Sequence, residues 1–105
     1  MRAPLVFWES LVTDTDRVQS SLRLEGEYDL SRKDEIATLF NSIDTEEPLV
    51  IDMTGVTYID STMLSELARL RVRHKHRPIT LAGVNTHIRR VLAIAKFDKI
   101  FQVTD

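Results

Sequence analysis

Length, composition and charge already exclude several functional classes. The 105 residues suggest one domain, and 14 basic against 16 acidic side chains give a net charge of −2, which offers no general attraction for nucleic acid. The absence of cysteine excludes thiol catalysis, disulfides and thiolate metal sites. No apolar run could span a membrane and the first ten residues lack a signal-peptide pattern, so we expect a cytoplasmic protein.

The chain begins with two predicted strands. Residues 5–13 form the first, and the polar cluster Thr13–Asp16 predicts a turn. In residues 18–24 apolar and polar side chains then alternate, which predicts a second strand with one buried face and a hairpin pairing with the first. We expect the segment Gly26–Asp29 to end this second strand.

A first helix follows this hairpin. Ser31 is the predicted N-cap, and Asp34 in the first turn suits the helix dipole. The apolar side chains recur at i, i+3, i+4 and i+7 and predict one core-facing stripe, made of Ile36, Leu39, Phe40 and Ile43. Residues 44–48 then predict a loop that leads into the central strand.

The centre of the chain is the segment from Leu49 to Leu64. Its apolar start, residues 49–51, fits a strand buried on both faces. Residues 52–55 lead out of that strand and residues 56–59 form a second extended piece. Asp60, Ser61 and Thr62 then precede a long helical pattern, so Ser61 is predicted at or next to a helix N-terminus.

The second helix is predicted over residues 61–74, and its apolar side chains cover an unusually wide arc. An apolar arc of this width can extend beyond the part of the helix surface that a sheet buries. Met63 and Leu70 lie near one edge of it, so either they form a partly exposed contact surface or they complete the core.

The last third of the chain predicts a strand at residues 79–84, a helix from about Asn85, and a short strand or extended tail at residues 100–103. The order of elements predicts a single α/β domain. It should have a mixed sheet of four to five strands and about three packed helices.

Catalytic signals are weak, and we expect no enzyme and no cofactor. Ser61 could act as a nucleophile only with a base, but His74 and His76 lie at least three helical turns further on, roughly 20 Å away. His87 opens a different helix and could approach, but nothing in the sequence requires it. Neither a G-x-S-x-G elbow nor a glycine-rich phosphate loop is present. His74 and His76 at i and i+2 point in different directions on a helix, which argues against a metal pair.

Two features remain open. Five basic side chains crowd the end of the second helix, and they form either a solvated face or a contact for an acidic partner or a nucleotide phosphate: Arg69, Arg71, Arg73, Lys75 and Arg77. Ser61 is either a helix cap or an acceptor of a phosphoryl group, whose negative charge a helix N-terminus tolerates.

The segment LVIDMTGVTYIDSTML, residues 49–64, resembles the signature of STAS domains, the anti-sigma-factor antagonists of bacteria. The matching positions are Asp52, Val56, Ile59, Asp60, Ser61, Thr62 and Leu64. The stretch Gly26–Asp29 resembles the family's Gly-Glu-Leu-Asp, and residues 91–103 resemble its last helix and strand. The resemblance covers nearly the whole chain, so residues 1–105 are expected to form one STAS domain.

This resemblance implies a phosphoprotein that regulates transcription by partner switching in a stress response. Ser61 would be phosphorylated by a serine kinase that is itself an anti-sigma factor, and a PP2C-type phosphatase would reverse this. The unphosphorylated form would bind the kinase and release the sigma factor. The expected partner-binding residues are Asp29, Asp60, Thr62, Met63 and Leu70. Neither direct nucleic-acid binding nor membrane binding is expected, and a homodimer is left open.

Met63 departs from the family pattern, because glycine usually stands there. This change implies either a specialised partner or a phosphorylation that has been altered or lost. Two alternatives therefore accompany the resemblance: a STAS scaffold subunit of a larger signalling assembly, and a STAS domain that binds a nucleotide near the basic cluster or supports lipid transport.

Overall fold

The computed structural model describes residues 9–12, 18–43 and 47–105. Five strands form one sheet in the order β1-β2-β3-β4-β5. They are β1 (Glu9–Val12), β2 (Val18–Tyr28), β3 (Leu49–Ile59), β4 (Ile79–Ala82) and β5 (Gln102–Val103). The helices are α1 (Lys33–Asn41), α2 (Ser61–Arg73) and α3 (Thr86–Ile94), with 3₁₀ turns at Leu30–Arg32 and Phe97–Lys99.

The sheet is mixed, as the order of elements predicts. β1 pairs with β2 in the antiparallel sense, which confirms the expected hairpin, while β2, β3, β4 and β5 pair in parallel. Parallel neighbours need a crossover between them, and α1, α2 and α3 supply one each. The predicted turn at Thr13–Asp16 and the start of the predicted first strand lie outside the described residues.

The core lies against one face of the sheet. Side chains of β3 alternate between buried and half-buried positions from Leu49 to Met53, with Val50 and Asp52 half-buried. The expectation that this strand is buried on both faces is therefore wrong. The core positions of β2 and β4 show the same alternation, with Leu22 and Leu24 buried on β2.

The predicted stripe on α1 is confirmed. Ile36, Leu39 and Phe40 of α1 are buried, and so is Ile43, which lies two residues after the helix ends. A Leu, Ile or Phe side chain contributes about 1.5–3 kcal/mol when it is fully buried, so this stripe is enough to hold a nine-residue helix on the core.

The expected breaks inside the two long strands do not occur. β2 continues through Gly26 to Tyr28, because Gly26 adopts a φ of 91° that glycine tolerates. β3 is continuous as well, but its pairing with β2 shifts twice, once between Asp52 and Gly55 and again after Val56. At each shift β3 contains one residue more than β2, so two β-bulges replace the predicted break.

The last elements close the sheet. Asn85 caps α3, since its Oδ1 accepts a hydrogen bond from the Ile88 N–H at 2.7 Å, and its Nδ2 donates to the Val56 carbonyl at 3.4 Å. Phe101 is buried just before the two-residue strand β5. Among the described residues, no helix is long and apolar enough to cross a membrane.

Candidate functional site

The N-terminus of α2 presents Ser61 to solvent. Asp60 is the N-cap, with an extended backbone at φ −124° and ψ −169°. Its Oδ1 accepts hydrogen bonds from the Thr62 N–H at 2.9 Å and the Met63 N–H at 3.3 Å. Ser61 is therefore the first residue of the helix and is exposed, while Thr62 is half-buried.

This geometry confirms the predicted position of Ser61 and corrects its alternative role as a helix cap. The cap lies one residue earlier because Asp60 has the non-helical backbone that a cap needs, whereas Ser61 already has helical geometry. The carboxylate of Asp60 satisfies two of the free N–H groups of the first turn. The Ser61 hydroxyl is therefore not needed to cap α2.

The passage from β3 into α2 at Asp60 is a strand-to-helix junction, and a second one, between β2 and α1, lies beside it. Asp29 caps the 3₁₀ turn that precedes α1, with its Oδ1 accepting from the Ser31 N–H at 3.0 Å and the Ser31 hydroxyl at 2.6 Å. Ser31, the predicted cap, is thus the donor, and Asp29 is the cap. These hydrogen bonds, the hydroxyl one first, lower the pKa of the Asp29 carboxyl. The Asp60 N–H donates to the Tyr28 carbonyl at 3.2 Å and ties the two junctions together.

Two exposed apolar side chains flank these junctions, and the sequence patterns pointed to neither. Leu30 directly follows Asp29 and is 68% exposed, and Tyr58, near the end of β3, is 42% exposed. Leu30 lies two residues after Tyr28, and Ser61 lies two residues after Ile59, which pairs with Tyr28 in the sheet. Leu30, Tyr58 and Ser61 therefore lie at the same end of the sheet, where β2 and β3 end. The signal for Leu30 was its position outside the buried stripe of α1.

Arg32 fixes the backbone of the first junction. Its Nη1 donates to the carbonyl oxygens of Glu25 at 2.9 Å and Glu27 at 3.1 Å, and its guanidinium also pairs with Glu35. The same group lies 3.9 Å from the centre of the Tyr28 ring. Burial raises the pKa of the Tyr28 hydroxyl, which accepts from the Glu25 N–H at 2.9 Å. The chain that carries Leu30 is therefore held by a rigid polar clamp.

Met63 and Leu70 do not form the partly exposed surface that was one of their two predicted roles. Both side chains are completely buried and complete the core. α2 packs against both β3 and α1, so these neighbours cover more of the apolar arc than a sheet alone would. The arc does reach solvent, but at Val72, which is 73% exposed.

The basic cluster at the end of α2 is largely used inside the fold. Arg71 donates to the carbonyl oxygens of Ile100, His74 and Arg77. Arg73 donates to the Asn41 side chain at 2.7 Å and to the Phe40 carbonyl at 2.9 Å, which links α2 to α1. These two arginines act as cross-links, and Arg77 is buried.

Comparison with known proteins now decides the family. The family model described as "Mlab, STAS domain" matches residues 11–103. The chain belongs to the STAS domain family. The predicted resemblance is thereby confirmed, and the Asp-Ser-Thr motif of this STAS domain lies at the start of α2.

Individual relatives of this STAS domain are distant. A STAS-domain containing protein of Pseudomonas aeruginosa is 25% identical over 92 residues, which cover 85% of this chain and 91% of the relative. An anti-sigma factor antagonist of Mycobacterium paratuberculosis superimposes with a TM-score of 0.74 at 24% identity, over 93% of this chain and 86% of that one. A sulfate transporter family protein of Wolinella succinogenes gives 0.68 at 19% identity, over 83% and 76%. At these identities the solved structures establish the shared fold.

Exposed polar and apolar side chains of this STAS domain lie where β2 and β3 end. Within the part of the chain that the structure describes, no three His, Asp or Glu side chains meet in a group that could hold a metal ion. This end of the sheet instead combines an exposed hydroxyl, two capping carboxylates and two exposed apolar side chains. Such an arrangement suits contact with a protein, and a charge placed on the hydroxyl would change that contact.

Proposed function

We propose that this STAS domain is a non-enzymatic, cytoplasmic anti-sigma-factor antagonist. In the unphosphorylated state it binds an anti-sigma factor that is also a serine kinase, and the sigma factor is released. Phosphorylation of Ser61 by the same kinase ends the binding, and a PP2C-type phosphatase restores it. The observation that carries the proposal is the exposed Ser61, which does not cap its helix and lies at the same end of the sheet as the exposed Leu30 and Tyr58.

Local electrostatics support a switch that leaves the fold intact. A phosphoryl group adds about −1.5 to −2 charges at neutral pH. At the N-terminus of a 13-residue helix this charge faces the positive end of the helix dipole, so α2 tolerates it. A docked partner, in contrast, would have to bury the phosphate next to the Asp60 carboxylate, which would cost much of its binding free energy.

The name of one structural relative supports the choice of partner. The Mycobacterium paratuberculosis protein with the same fold is an anti-sigma factor antagonist. Asp60, Ser61 and Thr62 match the Asp-Ser-Thr motif of the family, and this match supports the same choice of partner. Met63, where the family pattern has glycine, is buried, so this departure alters the packing below Ser61 and leaves its hydroxyl accessible.

The first test is phosphate mapping by mass spectrometry. The full chain is incubated with ATP and the serine-kinase anti-sigma factor of its own organism. We expect phosphate on Ser61, none in Ser61→Ala, and unchanged phosphorylation in Ser65→Ala, a matched exposed serine one helical turn further along α2. Phosphate on Ser65 alone, or none on a folded protein with an active kinase, would contradict the proposal.

Binding provides the second test. Ser61→Asp should lose affinity for the kinase. Ser61→Ala should bind the kinase constitutively, because it cannot be phosphorylated at this position. Ser65→Asp should bind with the affinity of the natural protein. Titration calorimetry without ATP measures all three. Equal affinities of Ser61→Asp and Ser61→Ala would exclude the switch.

A transport-associated STAS domain is the second candidate, because a sulfate transporter family protein shares the fold. A nucleotide bound at the basic cluster would support it. Arg71 is half-buried and donates to three carbonyl oxygens within the fold, so the exposed Arg69 and Lys75 are the cations to change. Saturable ATP binding that disappears in an Arg69→Gln, Lys75→Gln double variant would favour this candidate.

A further inference from the structure

The outward face of α2 contains a shallow groove that begins one helical turn after Ser61. Ser61 and Ser65 are exposed on successive turns, and the same side of the helix goes on to Ala68 and Val72. The groove is open to solvent and has a volume of about 460 Å³. Its lining consists of Ser65, Ala68, Arg69, Val72 and Arg73.

The floor of this groove is apolar. Val72 is 73% exposed, although single exposed apolar residues are common on protein surfaces and need no partner. Val72 differs from such a residue because it lines the same shallow groove as the half-buried Ala68 and two arginines. An apolar strip with a charged rim is the pattern that protein-binding surfaces show.

The rim carries positive charge. The side chain of Arg69 is 70% exposed, and the carboxylate that the structure places near it belongs to the buried Glu66, 3.8 Å from its Nε. The described acceptors of Arg73 are the uncharged Asn41 side chain and Phe40 carbonyl, so these bonds fix the position of its charge without neutralising it. A held cation binds a carboxylate with little further loss of side-chain entropy.

The openness of the groove favours a protein segment over a small molecule as its occupant. Ligand pockets usually enclose most of their ligand, whereas this groove is open along one helix. A helix with an apolar ridge fits such a groove, and carboxylates beside the ridge would meet Arg69 and Arg73. We propose that the groove binds an acidic amphipathic helix of the partner protein. For the identity of that partner, the proposal rests on the proposed function.

The groove and the phosphorylation site act separately. Arg69 follows Ser61 by eight residues and Arg73 by twelve, which places their backbones about 12 Å and 18 Å along the helix axis. Charges at the surface are screened over about 8 Å at physiological salt. A phosphate on Ser61 therefore leaves the charge of the groove in place, and the two contacts can be tested apart.

The test uses the full ¹⁵N-labelled chain and two synthetic helical peptides. One peptide has leucines at i, i+3, i+4 and i+7 flanked by glutamates, and its twin has lysines in place of the glutamates. We expect the acidic peptide to shift the amide signals of Ser65, Ala68 and Val72, with affinity that falls as salt rises. The lysine twin should leave them unchanged. Ser61→Asp should bind the acidic peptide as the natural protein does.

Matched variants identify the contact. Val72→Glu should weaken the acidic peptide about tenfold, the size of effect that a central interface residue gives. Ile94→Glu is the control, since Ile94 is 75% exposed on a different helix. Arg69→Gln should weaken binding and flatten its salt dependence, whereas Arg90→Gln, an exposed arginine of α3, should not. The melting temperature of each variant verifies that it is folded.

Several results would overturn the proposal. Equal binding of the two peptides, shifts centred on Leu30 or Ile94, or unchanged affinity in a folded Val72→Glu would each do so. Sedimentation adds a further outcome, because a dimer that Val72→Glu converts to a monomer would make a second copy of the chain the occupant. Since these experiments use no kinase, they can fail while the Ser61 switch stands, and the switch can fail while they succeed.

Discussion

The junctions before α1 and α2 have the same backbone geometry and the same capping pattern, but they expose different side chains. Asp29 and Asp60 end neighbouring parallel strands with almost the same geometry, φ −128° and −124° with ψ −169° in both. Each carboxylate accepts from the N–H two residues later. The residue after the cap then points to solvent. At one junction it is Leu30, and at the other it is Ser61.

The segments that come after the two caps explain the difference. After Asp29 the chain forms a 3₁₀ turn, and Arg32 secures it from the outside through hydrogen bonds to the strand. After Asp60 the α-helix begins at once, and Met63 secures it from the inside by filling the core. One junction is held by polar contacts near the surface and the other by buried apolar contacts. The hydroxyl thus stands on the more deeply anchored of the two.

Truncation of Met63 should have the largest effect. Met63→Ala removes a fully buried side chain and should lower the free energy of unfolding by about 2–5 kcal/mol, because a cavity remains. Leu30→Ala at the other junction should change it by less than about 0.5 kcal/mol, as expected for a surface position. Urea denaturation monitored by circular dichroism measures both. Similar losses in the two variants would contradict the difference in anchoring.

Leu30 should matter for binding instead. Leu30→Ser should weaken the affinity for the kinase about tenfold, since it removes exposed apolar surface beside Ser61. The measurement is calorimetric titration, with Ile94→Ser as a control at an exposed apolar residue of α3. If both variants bind equally well, Leu30 lies outside the interface.

The two caps should differ in strength. Asp60→Ala should cost about 1 kcal/mol, because the Thr62 and Met63 N–H groups lose their acceptor at a half-buried position. Asp60→Asn keeps an acceptor oxygen and should recover most of this loss. Asp29→Ala should cost less, because its acceptor bonds lie in solvent. Chemical denaturation of the three variants tests this order, and a larger loss for Asp29→Ala would reverse the comparison.

The smallest expected effect is that of Asp29 on the stability of the fold at acid pH. The pKa of Asp29 is lowered by its bonds from Ser31, so its contribution to stability is present above the unfolded value near 3.9 and is lost as the pH falls through the lower folded pKa. Unfolding measured in urea between pH 5 and pH 2 should therefore show a shallower decline for Asp29→Asn, which does not titrate. Identical declines would mean that the Asp29 bonds do not discriminate between its charge states.

Local patterns in the sequence predicted the architecture well. The i, i+3, i+4, i+7 spacing placed Phe40 in the core, and the Asp-Ser-Thr motif placed Ser61 at a helix start, because both features are determined within a few residues. The pattern could not show that α1 covers part of α2, so Met63 was offered as a contact residue and Val72 was not. The cross-links of Arg71 join segments up to 29 residues apart, and no local rule predicts them.

The exposed apolar residues of the site and the buried charge on α2 were the hardest to predict. Leu30 is an apolar residue that breaks no pattern until the 3₁₀ turn is known, and Asp29 becomes the cap because of that same turn. Glu66 is only 4% exposed, although a charged residue within an amphipathic helix is expected in solvent. In each case the decision depends on how neighbouring elements pack.

The order of the strands across the sheet, which equals their order along the chain, bears on how the protein reaches its fold. Each strand pairs with the strand that precedes it in the chain, so the strand pairings join consecutive strands and keep the sequence separation of their contacts low. Folding can thus proceed from the N-terminal hairpin outward, one crossover at a time. The Arg71 bond to the Ile100 carbonyl, beside the final two-residue strand, would then form among the last contacts.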